Sequence, residues 1–204
     1  MPASPNDQHN TPSLRLDTVT IALIVILILA NLVLADGVTR SVAAQGDHMR
    51  LATEPAGAID VLAARAQAGQ PDAADREVVV VGRIGGMPNP WPDAHADYPW
   101  YPGQASLFLV DLDTSRQFAP HMKKHGANTG NCVFCRRLAE KNAHAIAVVN
   151  FVDESGNILP ADARELLNLR PGQTIVVRGT AELLGGTMLV VNADALYVRP
   201  NTGD

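Results

Sequence analysis

Five short runs rich in Val, Ile and Leu, with one helical signal between the third and the fourth, constrain this chain more than any other feature. The runs are Glu77–Ile84 (EVVVVGRI), Ser106–Asp111 (SLFLVD), Ala145–Val152 (AIAVVNFV), Gln173–Thr180 (QTIVVRGT) and Thr187–Arg199 (TMLVVNADALYVR). Pro160–Leu169 (PADARELLNL) reads as a short helix that Arg170-Pro171-Gly172 stops, and Leu184-Gly185-Gly186 reads as a tight hairpin turn. Gly82 interrupts the first run, and a glycine inside a strand marks a bulge or a sharp bend. The expected fold class is therefore all-β, a five-stranded Greek-key barrel with a short helix between strands three and four. Taking alternate residues that share a face, the interior is expected at Val79, Val81, Leu107, Leu109, Ile146, Val148, Ile175, Val177, Leu189 and Val191.

Three strands, a helix and two more strands is the order of the OB-fold. Residues 77 to 200 resemble that superfamily, and "LRPGQTIVVRGTAELLGGTMLVVNADALYV" is similar to its fourth and fifth strands. The chain also resembles exported bacterial proteins of unassigned function that carry the same barrel with a Cys-containing insertion, a resemblance that implies no activity. An anchored barrel of this kind is similar in architecture to the haem chaperone of cytochrome c maturation. That family attaches haem through a His-x-x-x-Tyr motif beyond the barrel, whereas here Leu196-Tyr197-Val198-Arg199-Pro200 contains no histidine, so haem attachment does not carry over.

Ahead of the barrel, Val19 to Ala35 holds no charge, and Ile21 to Ala30 (IALIVILILA) is unbroken apolar sequence. Seventeen residues rise roughly 25 Å as a helix, which suits a short membrane anchor or a long signal segment, and Val33-Leu34-Ala35 fits a signal-peptidase site. The expected organisation is a tail over 1–17, an anchor or signal over 18–35, a linker over 36–75 with a helical patch at Ala58–Ala68, and the barrel domain over 76–204 with insertions at 87–103 and 116–144. The membrane is then a partner through the N-terminal helix, and the folded part lies outside the cytoplasm, in a bacterial periplasm or beyond. With 204 residues the chain is too short for a large multi-domain enzyme, and two cysteines exclude a disulfide-rich scaffold. A net charge of −5 weighs against gripping phosphate backbones, which leaves a nucleic-acid-binding OB domain as the least favoured reading.

The two insertions carry the chemistry. Met87–Gly103 (MPNPWPDAHADYPWYPG) is a proline-stiffened loop, and Trp91, Tyr98, Trp100 and Tyr101 in it can form a ligand-binding stacking surface or fold back to cap the barrel. Phe118–Asn142 (FAPHMKKHGANTGNCVFCRRLAEKN) holds the sharper signal. Pro120 suits the first position of a short helix and Gly126 its end, so His121 and His125 project from one face ahead of the Cys132-x-x-Cys135 turn. His121, His125, Cys132 and Cys135 together supply the four borderline-soft ligands of a tetrahedral site for zinc or another transition metal. Two other chemistries stay open: a thiol–disulfide site at the start of a helix over Arg136–Ala143, and an inert structural disulfide. A covalent c-type haem needs His after the second cysteine, where Arg136 stands. His144 is a substitute ligand, while His9, His48 and His95 read as solvated loop residues, and Asp111 and Asp113 as a strand end. The leading reading is a non-enzymatic, membrane-tethered module whose metal-organised loop presents a surface to a protein or small ligand; the alternative is a thiol–disulfide oxidoreductase.

Overall fold

Backbones dense in β-branched side chains favour extended structure, and each of the five runs from Glu77 onward becomes a strand. The computed structural model describes residues 46–71, 76–125 and 132–200, with the side chains of Lys124 and His125 outside the description. Its elements are β1 (Ile59–Asp60), α1 (Val61–Ala68), β2 (Glu77–Ile84), β3 (Trp100–Tyr101), β4 (Ser106–Val110), α2 (Leu112–His125), α3 (Val133–Lys141), β5 (Ile146–Phe151), α4 (Ala163–Leu166), β6 (Thr174–Leu184) and β7 (Met188–Val198). The expected tail, anchor or signal segment, including His9, lies outside the described residues. Among the described residues no helix is long and apolar enough to cross a membrane.

Strands β2, β4, β5, β7 and β6 close on one another in that order and back to β2. All neighbours are antiparallel except β5 and β7, which run parallel from Ala147↔Leu189 to Phe151↔Ala193. This is a closed, mixed five-stranded barrel with an OB-like order, and its one-turn helix α4 follows the third barrel strand. Asp162 caps α4 by accepting the Arg164 N–H, and Ala163, Leu167 and Leu169 are buried in the barrel core.

Closure happens at Gly82. The seam is short, Arg83↔Val110 and Ile84↔Leu109, so β2 must bend directly onto β4 there. A Cβ at Gly82 would sit 2.6 Å from Leu109 Cγ and 2.8 Å from the Val110 carbonyl oxygen, closer than atoms can pack. Gly82→Ala should therefore destabilise the protein by about 1–3 kcal/mol through overpacking, read from its urea midpoint. An unchanged midpoint would contradict so close an approach.

Three barrel strands bury the expected face: Leu107 and Leu109, Ile175 and Val177, and Leu189 and Val191 all lie in the core cluster. The other two strands are corrections. On β2 the interior holds Val78, Val80 and Ile84 rather than Val79 and Val81, and on β5 it holds Ala147, Val149 and Phe151 rather than Ile146 and Val148. Alternation marks a face only where the opposite face is wet, and here it is not. Ile146 belongs to a second apolar cluster on the outside of the barrel wall, with Met87, Phe108, Val110, Phe118 and Ala139, and Val148 packs against it.

Residues 46–71, within the stretch whose composition reads as a tether, carry structure of their own. β1 pairs in parallel with β2, and Val61 and Ala64 of α1 are fully buried in the barrel core cluster. Glu54 receives a two-pronged ion pair from Arg199, at 2.6 and 3.0 Å. The guanidinium holds the Glu54 carboxyl below its usual value of 4.5, so the tie contributes above that pH and fades as pH falls through the lowered value.

Candidate functional site

The outer apolar cluster exists because the second insertion is helical from its first residue. Asp111, at the end of β4, is buried and accepts the Thr114 N–H at 3.0 Å, which caps α2 directly behind the strand. Asp111 and Asp113 are therefore a helix start rather than a strand end, and Pro120 lies inside α2 rather than at its beginning. Thr114, Ser115 and Phe118 are buried and Met122 partly so, a stripe at helical spacing that turns α2 onto the barrel wall. On α3, Cys135, Leu138 and Ala139 make the matching stripe.

At the N-terminus of α3 the two cysteines are joined as a disulfide, their Cα atoms 5.2 Å apart. Cys132 is the N-cap residue and keeps part of its surface in solvent, whereas Cys135 is buried. The Cys135 N–H donates to Cys132 Sγ at 3.2 Å. A sulfur in this position receives a backbone hydrogen bond and the positive end of the helix macrodipole, both of which stabilise negative charge on it. Val133 and Phe134, between the cysteines, are 55% and 65% exposed.

The His121 ring lies 6.1 Å from the Phe134 ring, so α2 brings that histidine beside the Cys-x-x-Cys turn. The His125 side chain is outside the described residues, and among those described no three His, Cys, Asp or Glu side chains are grouped to hold a metal ion. The disulfide occupies both sulfurs, and neither is a thiolate ligand in this form. His144, the substitute ligand of the sequence reading, sits beyond the far end of α3, a helix about 13 Å long, with Nδ1 3.1 Å from the Lys141 carbonyl.

The first insertion packs on the same outer wall. Asn89 organises it, accepting the Trp91 N–H at 2.8 Å and donating to the His95 carbonyl at 2.6 Å. Four rings gather on the fully buried Phe108: Tyr101 at 4.9 Å, His95 at 5.0 Å, Tyr98 at 5.2 Å and Trp91 at 5.6 Å between centroids. Trp91 and Tyr101, with His95 and Phe108, wall a groove of about 620 Å³ whose polar side includes Asn150 and Asn192. Those amides are fixed in a chain, Ser106 Oγ donating to Asn150 Oδ1 at 2.8 Å and Asn150 Nδ2 to Asn192 Oδ1 at 3.2 Å.

Of the four aromatics singled out from sequence, Trp91 and Tyr101 line the groove, Tyr98 stacks behind it, and Trp100 turns into the barrel core. The Tyr98 hydroxyl is enclosed without a partner among the described residues, and burial pushes its pKa up. His95, read as a solvated loop residue, is instead a wall of the groove. Its one mark in the sequence is that it lies among the aromatics of a proline-stiffened loop.

Compared with family models and with curated proteins, the sequence matches none.

Proposed function

We propose that this chain is an exported, membrane-tethered member of the OB-fold superfamily whose inserted helical loop carries a thiol–disulfide exchange pair, Cys132 and Cys135. One observation carries the reading: the pair is asymmetric. Cys132, partly exposed and capping α3, can be attacked, while buried Cys135 cannot be reached from solvent and acts only on its neighbour. That division of labour separates an exchanging pair from a simple cross-link. The apolar run at Ile21–Ala30 fits the reading, since export places the pair where disulfides form.

The test is selective alkylation. After native reduction of the full chain, iodoacetamide should modify Cys132 and spare Cys135, as mapped by mass spectrometry. Equal labelling of both, or a disulfide that resists reduction without denaturant, would overturn the exchange reading.

A second reading is favoured by the place of His121 beside the Cys-x-x-Cys turn. In the reduced state Cys132 and Cys135, as thiolates, with His121 and His125 would hold zinc or a similar ion and order the insertion. Elemental analysis of the reduced protein distinguishes the two: about one equivalent of bound zinc supports the metal reading, and none supports exchange alone.

A further inference from the structure

We infer that the partner of the Cys132–Cys135 pair is an extended, cysteine-bearing polypeptide segment with an apolar residue beside its cysteine and acidic residues beyond it. The inference rests on the exchange reading and names its substrate class. It comes from the solvent face of α3. Val133 and Phe134 lead that face at the disulfide end, and Arg137 follows four and three residues later, with Lys141 one turn further on. All four are exposed. The face thus passes from an apolar tip beside the sulfur to two cations, and the one acid that borders it, Glu140, three residues after Arg137, is already paired with Arg136.

Charge complementarity selects the occupant. Residues 116–144 carry six cations and one acid, a net +5, and the remainder of the chain carries −10. The positive face stands out from an acidic molecule and draws an acidic segment to it. On the flank of α3, Arg136 and Glu140 share the stripe of Cys132 and line a cleft of about 380 Å³ with Trp91, Pro92 and Asp93. Arg136 already faces Glu140 at 3.7 Å, so this mixed wall gives room for the partner's backbone and leaves the charge preference to Arg137 and Lys141. An apolar residue next to a reactive cysteine is what an unfolded or extended chain exposes and a folded one hides.

The step balances within this pair. The partner's thiolate attacks Cys132 Sγ, forming a mixed disulfide and expelling Cys135 as a thiolate that takes up a proton. A second thiolate of the partner then attacks its own sulfur in the mixed disulfide, releasing Cys132. The partner loses two protons and two electrons to become a disulfide, and Cys132–Cys135 gains them as a dithiol.

The experiment measures reduction of the oxidised full chain by three synthetic dithiol peptides and by dithiothreitol. One peptide flanks its cysteines with Phe and Glu, one with Phe and Lys, and one with Ser and Gln. At low ionic strength the Phe/Glu peptide should react about tenfold faster than the Phe/Lys peptide, and the ratio should fall towards one at about 1 M salt. Arg137→Glu should erase most of the charge preference, and Phe134→Ser should remove the advantage of Phe over Ser. Both are exposed positions, and each variant's peptide rates are divided by its own dithiothreitol rate, so that a change in the intrinsic reactivity of the disulfide cancels. Equal peptide rates with a normal dithiothreitol reaction would overturn this inference alone; no reaction with any thiol would overturn the exchange reading beneath it.

Discussion

Cys132→Ser should abolish thiol–disulfide exchange, lowering its rate by more than about 10³-fold, the scale on which loss of a covalent nucleophile is felt. Cys135→Ser should behave differently. Given a disulfide such as oxidised glutathione, the Cys132 thiolate would attack it, bond one sulfur and expel the other as a thiolate; with no Cys135 to release the bound sulfur, the mixed disulfide would accumulate and be visible by mass spectrometry. The contrast follows from the asymmetry at the start of α3, one sulfur partly exposed and capping the helix, the other buried. Neither serine should unfold the barrel, because the pair lies in the insertion on the outer wall and no residue of the barrel core cluster comes from α2 or α3. A Cys135→Ser protein that traps nothing and matches Cys132→Ser in every assay would contradict the assigned order of attack.

Phe108→Ala should be the most destabilising single change on the outer wall, costing about 3–5 kcal/mol. Phe108 is fully buried, and four rings of the 87–103 loop rest on it at 4.9 to 5.6 Å. Removing it takes the floor from the groove as well as a large side chain from the second apolar cluster, and the loop cannot collapse onto the gap because Asn89 pins its backbone. The check is a denaturant midpoint beside the tryptophan fluorescence of Trp91 and Trp100. A loss under about 1 kcal/mol would mean that the loop does not depend on this ring.

The barrel was legible in the sequence because its strands are bounded by turn residues and one helical run falls between the third and the fourth. Gly82 was legible as a bend, and the structure makes it the closing seam. What the pattern did not show was which face of β2 and β5 looks inward. Runs such as VVVV and AIAVV have no polar residue to mark the outside, and the insertions cover the outer wall with apolar side chains of their own.

The helix α2 was legible only in its second half. Its buried stripe begins with Asp111, Thr114 and Ser115, polar residues buried by capping and close packing, so the periodicity of apolar residues starts a turn and a half too late. The candidate cysteines were plain from spacing, and so was the helix that follows them. Their difference in exposure was not, because it depends on Cys135 sharing a stripe with Leu138 and Ala139 against the barrel. His95 was missed for a related reason: a lone loop histidine shows no sign of the Phe108 ring that anchors it.

A redox titration of the Cys132–Cys135 pair in the full chain, against defined glutathione and dithiothreitol buffers, measures what the exchange function requires. With Cys132 Sγ receiving the Cys135 N–H at the cap of α3, the dithiol state is stabilised and the midpoint should lie above about −300 mV, within the range of about −270 to −120 mV spanned by exchanging pairs. A midpoint well below about −300 mV would mark a structural cross-link and contradict the exchange function.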